Sequence, residues 1–237
     1  MSKFTAIFFD AGFTLLNLSA GLPERCAEVA AEFGLSPDQA AMQAALPLTR
    51  AYLLDNSRLP NDIFASEAKV RHFWDGFYGL VLRHGGVAEH HLPSLLDRLY
   101  VHNNSSAGWH LYPEVLPTLI ALRQRGIGVG VVSDWGVDLL EHILVPLGVA
   151  DHCDFVISSA VVGLSKPSAD LFHLALWRVG LRADQVAYVG DNYVLDVLGA
   201  RSAGIEGVLI DRHHQMSGRP SDCRVIHSLT ELLPLVV

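Results

Sequence analysis

Phe4-Thr5-Ala6-Ile7-Phe8-Phe9-Asp10-Ala11-Gly12-Phe13-Thr14-Leu15 is the stretch on which the fold of this 237-residue chain turns. Its apolar run is too short for a signal-peptide core and ends on a carboxylate. It predicts a buried strand with Asp10 just past its carboxyl end. The same unit recurs after Trp109. Short β-branched runs at 127–132, 155–157, 186–189 and 208–210 alternate with helical patterns at 113–125, 137–147, 167–179 and 195–203. Such alternation predicts an α/β fold, a parallel sheet with helices on both faces. A loop through 215–221, a short strand at 224–227 and a helix at 229–235 close the chain.

Between the first two core strands the pattern is helical from 23 to 101. Ser36-Pro37-Asp38-Gln39 reads as a capping-box start with proline at the first helical position. Over 63–82, Phe64, Phe73, Trp74, Phe77 and Leu80 fall at helical spacing, and Gly85-Gly86 ends the run. A further helix is expected at 92–100. The domain expectation is therefore a core of 1–16 and 105–237, with an all-helical insertion at 17–104. Phe73, Trp74, Phe77 and Tyr78 read as the core of that insertion or an oligomer contact, in preference to a substrate entrance.

Half the residues are hydrophobic, enough for a sizeable core. The net charge of −8 argues against sequence-independent nucleic-acid binding. No apolar run approaches the roughly 18 residues of a membrane span. Cys26, Cys153 and Cys223 are odd in number and far apart, which suggests free thiols and a cytoplasmic location. His90-His91 and His213-His214 lack companions at ligand spacing and read as solvated loop residues. Glu24 and Arg25 are left open between a solvated face and a reach into the site.

In sheets of this kind ligands bind beyond the carboxyl ends of the strands. Asp10, Ser133-Asp134, Lys166-Pro167, Gly190-Asp191 and Asp196 all fall there. Each alone is ordinary: a turn residue, a helix N-cap, a solvated lysine. Together they gather carboxylates that repel unless a cation sits among them. Mg²⁺ is commonly held by one or two carboxylates plus substrate phosphate. Asp10 and Asp191 fit that role, with Lys166 for the anionic partner. Only three of the 17 cations are lysine, so its use at this point is notable.

These residues resemble the haloacid dehalogenase superfamily, subfamily IA, over 1–16 and 105–212. Motif I is Asp10 to Thr14, motif II Ser133, motif III Lys166 and motif IV Gly190-Asp191 through Asp196. The helical insertion is similar to a type 1 cap. The resemblance implies a Rossmann-like core and a Mg²⁺-dependent phosphohydrolase acting on a small phosphorylated metabolite, as a monomer or homodimer. Asp10 would be the nucleophile, forming an aspartyl-phosphate. Asp10, the Gly12 carbonyl and Asp191 would hold the metal. Ser133 and Lys166 would act on the phosphoryl group, with Asp134 beside it, and Asp196 would support Lys166 or the metal.

Two positions depart from that pattern. The phosphatases carry a second aspartate two residues after the nucleophile, as general acid and base; here Gly12 stands in its place. Such help is worth roughly 10²–10⁴-fold in rate. Weak or leaving-group-limited activity is therefore expected, with aryl or acyl phosphates needing the acid least. Asp134 stands where asparagine is usual. It either supplies the missing proton or caps the next helix, and the cap is the preferred expectation. The alternative is an impaired phosphate- or Mg²⁺-binding or interaction protein. A haloacid dehalogenase ranks lower because Gly190-Asp191 is intact. A phosphonatase also ranks lower, because Lys69, the single lysine of the insertion, reads as a helix surface.

Overall fold

The computed structural model describes residues 4–57, 62–212 and 222–236. His213-His214 and the 215–221 loop lie outside them. In chain order the strands are β1 (Ala6–Phe9), β2 (Leu16–Leu18), β3 (Trp109–Leu111), β4 (Gly128–Ser133), β5 (Phe155–Ser158), β6 (Val186–Gly190), β7 (Glu206–Ile210) and β8 (Arg224–Ile226). The α-helices are α1 (Leu22–Glu32), α2 (Gln39–Ala44), α3 (Leu46–Ser57), α4 (Glu67–His84), α5 (Leu92–Asn103), α6 (Val115–Gln124), α7 (Ser159–Val162), α8 (Ala169–Val179) and α9 (Gly199–Ser202).

β1 is buried along its whole length, and its side chains alternate between two cores. Ile7 and Phe9 pack with Val129, Val131 and Val189 on one face. Ala6 and Phe8 pack with Val132, Phe172 and Tyr188 on the other. A strand covered on both faces has no polar side to show, which is why its sequence is an unbroken apolar run. β1 pairs in parallel with β4 and β6, within a sheet ordered β5-β4-β1-β6-β7-β8. The first strand is thus central, and the carboxyl ends of β1, β4 and β6 lie side by side.

The expected helical block is present as α1 to α5, with its own core of Cys26, Val29, Met42, Val81, Leu95 and Leu99. The chain enters it through β2 and returns through β3, an antiparallel pair matching Leu16 to Leu111 and Leu18 to Trp109. This stem was not anticipated, since strands of three residues are too short to establish a period. The boundary expected at 16/17 falls inside β2. Arg25 of α1 is fully buried at the foot of the block. It donates to Asn103 Oδ1 at 3.0 Å and to the Gly108 carbonyl at 2.5 Å. One guanidinium therefore joins α1, the end of α5 and the approach to β3.

Three local expectations are corrected. α2 is capped by Asp38, which accepts from the Ala41 N–H at 3.1 Å, so Ser36 and Pro37 precede the helix. The helix expected at 137–147 is a π-helical segment, Leu139–Leu144. The one expected at 195–203 is a π-helical Tyr193–Leu198 running into α9. There the Asn192 side chain accepts from the Val194 and Leu195 N–H groups, and its carbonyl from both Asp196 and Val197. No helix among the described residues is long and apolar enough to cross a membrane.

Arg25→Ala is expected to lower unfolding stability by about 3 kcal/mol, because it opens a cavity and orphans two buried acceptors. Urea denaturation measures this, and a loss under about 1 kcal/mol would show that Arg25 does not brace the block.

Candidate active site

Asp10 follows β1 directly, and its N–H still bonds the Val189 carbonyl at 2.9 Å, so the sheet ladder aims its side chain. Ser133 closes β4 and donates to Asp10 Oδ1 at 2.8 Å. The same Ser133 oxygen accepts from the Ala11 N–H at 3.4 Å. Lys166 reaches in from the segment before α8. Its ammonium donates to Asp10 Oδ1 and to Asp196 Oδ1, both at 2.7 Å. All three side chains are almost wholly buried. Burial works to lower the Lys166 pKa, but Asp10 and then Asp196 outweigh it and hold the ammonium well above its usual range.

Tyr188 is a residue that sequence reasoning missed. It lies in β6, where a hydroxyl on an apolar strand was the available signal. It donates to the Val132 carbonyl at 2.7 Å and stands 3.4 Å from both Lys166 Nζ and Asp196 Oδ1. Asp196 Oδ2 accepts from the Asn192 N–H at 2.8 Å, so both its oxygens are occupied. Its role toward Lys166 is therefore direct contact. On the outer side, Arg212 braces the first motif by donating to the Thr14 carbonyl at 2.6 Å and to Glu114 at 2.5 Å.

Asp10, Gly12, Ser133, Asp134, Lys166, Asp191 and Asp196 all line one cavity of about 220 Å³. Glu24, Arg25, Lys69, His90 and His91 do not line it. Lys69 is on the exposed side of α4 and pairs with Asp62. Phe73 and Trp74, expected in the cap core, also face this cavity, together with Phe13, Phe64, Trp109 and Trp135. The cavity thus lies between the sheet edge and the helical block. Phe77 and Tyr78 do belong to the core of the block.

The carboxylates crowd one another. An oxygen from each of Asp10, Asp191 and Asp196 lies within 4.8 Å of the others. Desolvation, then the charges of Asp196 and Asp10, push the Asp191 carboxyl well above its ordinary range. Desolvation also raises Asp196. A divalent cation would relieve this repulsion, and an all-oxygen donor set suits a hard ion. With Asp196 committed to Lys166 and Asn192, Asp10 Oδ2 and the Asp191 carboxylate are the oxygens open to it.

Asp134 does not cap a helix, which corrects the preferred expectation. Its Oδ1 accepts instead from the Lys166 backbone N–H at 3.0 Å, fixing the segment that carries the ammonium. Its Oδ2 is buried without a hydrogen-bond partner. Desolvation, opposed by Lys166, raises this carboxyl to about 7.

Residues 4–204 match the model of the haloacid dehalogenase-like hydrolase family. The chain belongs to that family. It is 32% identical over 210 residues to a zebrafish haloacid dehalogenase-like hydrolase domain-containing protein 3, covering 87% of this chain and 84% of the relative. It is 28% identical over 207 residues to a glyceraldehyde 3-phosphate phosphatase of Methanothermobacter thermautotrophicus, covering 87% and 85%. Among solved structures, a phosphatase of this family from Thermococcus onnurineus superposes with a TM-score of 0.64 at 25% identity, covering 98% of each chain. The chain is a hydrolase, phosphatase-like by these relatives.

The Asp134 environment has a pH consequence. A carboxyl raised in the folded state contributes stability below pH 4 that is lost as pH rises through about 7. Asp134→Asn keeps the acceptor for Lys166 N–H and cannot ionise. In EDTA its stability relative to wild type is expected to be higher at pH 8 than at pH 5. A difference independent of pH, by chemical denaturation, would contradict the raised carboxyl.

Proposed function

We propose that this hydrolase is a Mg²⁺-dependent phosphohydrolase that works through an aspartyl-phosphate on Asp10. The observation that carries this reading is the Lys166 ammonium between Asp10 and Asp196, with Ser133 on the same Asp10 oxygen. Two donors on one oxygen fix the carboxylate in place, as a nucleophile requires.

An Asp10 oxygen attacks phosphorus, and the bond from phosphorus to the leaving oxygen breaks with its electron pair going to the leaving group. Water then attacks the same phosphorus, the Asp10–phosphorus bond breaks, and the carboxylate and inorganic phosphate are released with a proton. Ser133 and Lys166 donate to phosphoryl oxygens as charge builds there. Asp10, the Gly12 carbonyl and Asp191 would hold Mg²⁺, which when bound supplies charge neutralisation between nucleophile and phosphate. Asp196 and Tyr188 keep the Lys166 ammonium in line. The substrate is a small phosphorylated compound.

No side chain stands at position 12 to protonate the leaving group. A Cβ there would meet Trp135 Cζ3 at 3.3 Å, so an indole edge fills the approach to that space. The leaving group therefore receives no proton from position 12. Across substrates, kcat is expected to fall by about 10²–10⁴ from acyl phosphates to alkyl phosphates. A flat dependence on leaving-group acidity would mean that another residue supplies the proton.

Hydrolysis of an acyl phosphate is expected with Mg²⁺ and lost in EDTA. Lys166→Ala is expected to lower kcat by about 10²–10³-fold. Turnover that ignores EDTA, or that survives Lys166→Ala unchanged, would overturn the reading.

A further inference from the structure

The cavity has two unlike halves. Its floor is the charged group around Asp10, and its walls are six aromatic rings: Phe13, Phe64, Phe73, Trp74, Trp109 and Trp135. Lys166 is the one cationic side chain among the described residues that line it, and its ammonium is already shared by Asp10 and Asp196. Among the described residues no arginine or histidine lines it to meet a second anionic group on a ligand. A second anionic group on the substrate would lose its water there and find no cationic partner among these residues, which is costly.

The wall rings also pack on one another. Trp109 packs edge-on against Trp135, with ring centres 4.9 Å apart, and against Phe13 at 5.9 Å. Phe64 and Trp74 meet Phe73 at 4.8 and 5.1 Å. Phe13 has φ 55°, the single non-glycine residue with positive φ among the described residues. That left-handed backbone is strained for a phenylalanine. The residue stays 42% exposed in spite of the strain. Burial of the ring in the protein's own core does not offset that cost, whereas contact with a bound apolar group would.

We infer that the substrate is a phosphate ester or anhydride whose organic part is apolar, carries no charge of its own before cleavage, and is about the size of one ring. The inference rests on the phosphohydrolase reading and adds the leaving-group class. The size follows from the cavity: about 150 Å³ holds a benzene, and about 220 Å³ leaves room for one ring beside the phosphoryl group. The departure at Gly12 points the same way. Gly12 and Trp135 remove the general acid and extend the apolar wall in one exchange, so the site handles leaving groups that need no proton and that favour a ring-lined pocket.

The test compares benzoyl phosphate with acetyl phosphate, two acyl phosphates of similar reactivity, and with glyceraldehyde 3-phosphate, in Mg²⁺. The expected kcat/KM for benzoyl phosphate exceeds that for acetyl phosphate by about tenfold or more, mostly through KM. Glyceraldehyde 3-phosphate is expected to be the poorest. Trp74→Ala is expected to bring the benzoyl-to-acetyl ratio toward one. Phe13→Gly, which relieves the backbone strain and so should fold, is expected to do the same. Equal use of the two acyl phosphates, or preference for glyceraldehyde 3-phosphate, overturns the inference and leaves the phosphohydrolase reading standing. Hydrolysis of none of the three overturns both.

Discussion

The site depends on one ammonium. Lys166 Nζ lies 2.7 Å from an oxygen of Asp10 and 2.7 Å from one of Asp196, in surroundings with almost no access to water. Buried carboxylates at such spacing are tolerated only with a cation among them. Much of the local architecture serves to keep that cation in place. The Asp134 carboxylate holds the Lys166 backbone, and the Tyr188 hydroxyl, anchored on β4, sits beside the ammonium. Asn192 fixes the far oxygen of Asp196 and also caps the π-helical turn that carries it. Lysine suits this position because its compact charge serves two carboxylates from one point, which a planar guanidinium does less well.

The fold was legible because β1 sits at the centre of the sheet. A strand buried on both faces must be apolar throughout, and the run to Phe9 followed by Asp10 states both the strand and its site end. The same logic located β4 to β7 and, with them, Ser133, Lys166 and Asp191. Illegible were features set by distant partners. The β2–β3 stem joins residues nearly a hundred positions apart through three-residue strands. The π-helical turns after β4 and β6 share the apolar spacing of ordinary helices. Asp134 was misjudged because its partner is a backbone N–H 32 residues away.

The aromatic walls show the same limit. Phe73 and Trp74 have the helical spacing of core residues, and one face of α4 does build the core of the helical block. Spacing alone cannot separate the turn of α4 that packs inward from the turn that looks onto the sheet edge. Trp135 lies two residues after the second motif, yet its relation to Gly12 exists only once β1 and β4 are paired. Glycine at 12 and tryptophan at 135 are two halves of one feature, and a single chain read in order presents them 123 positions apart.

Rapid quenching into acid followed by peptide mass spectrometry tests the covalent step directly. During turnover of an acyl phosphate in Mg²⁺, a phosphoryl group is expected on the peptide containing Asp10 and on no other, and is expected to be absent in Asp10→Asn. Steady hydrolysis with Asp10 unmodified, or hydrolysis that continues in Asp10→Asn, would contradict it.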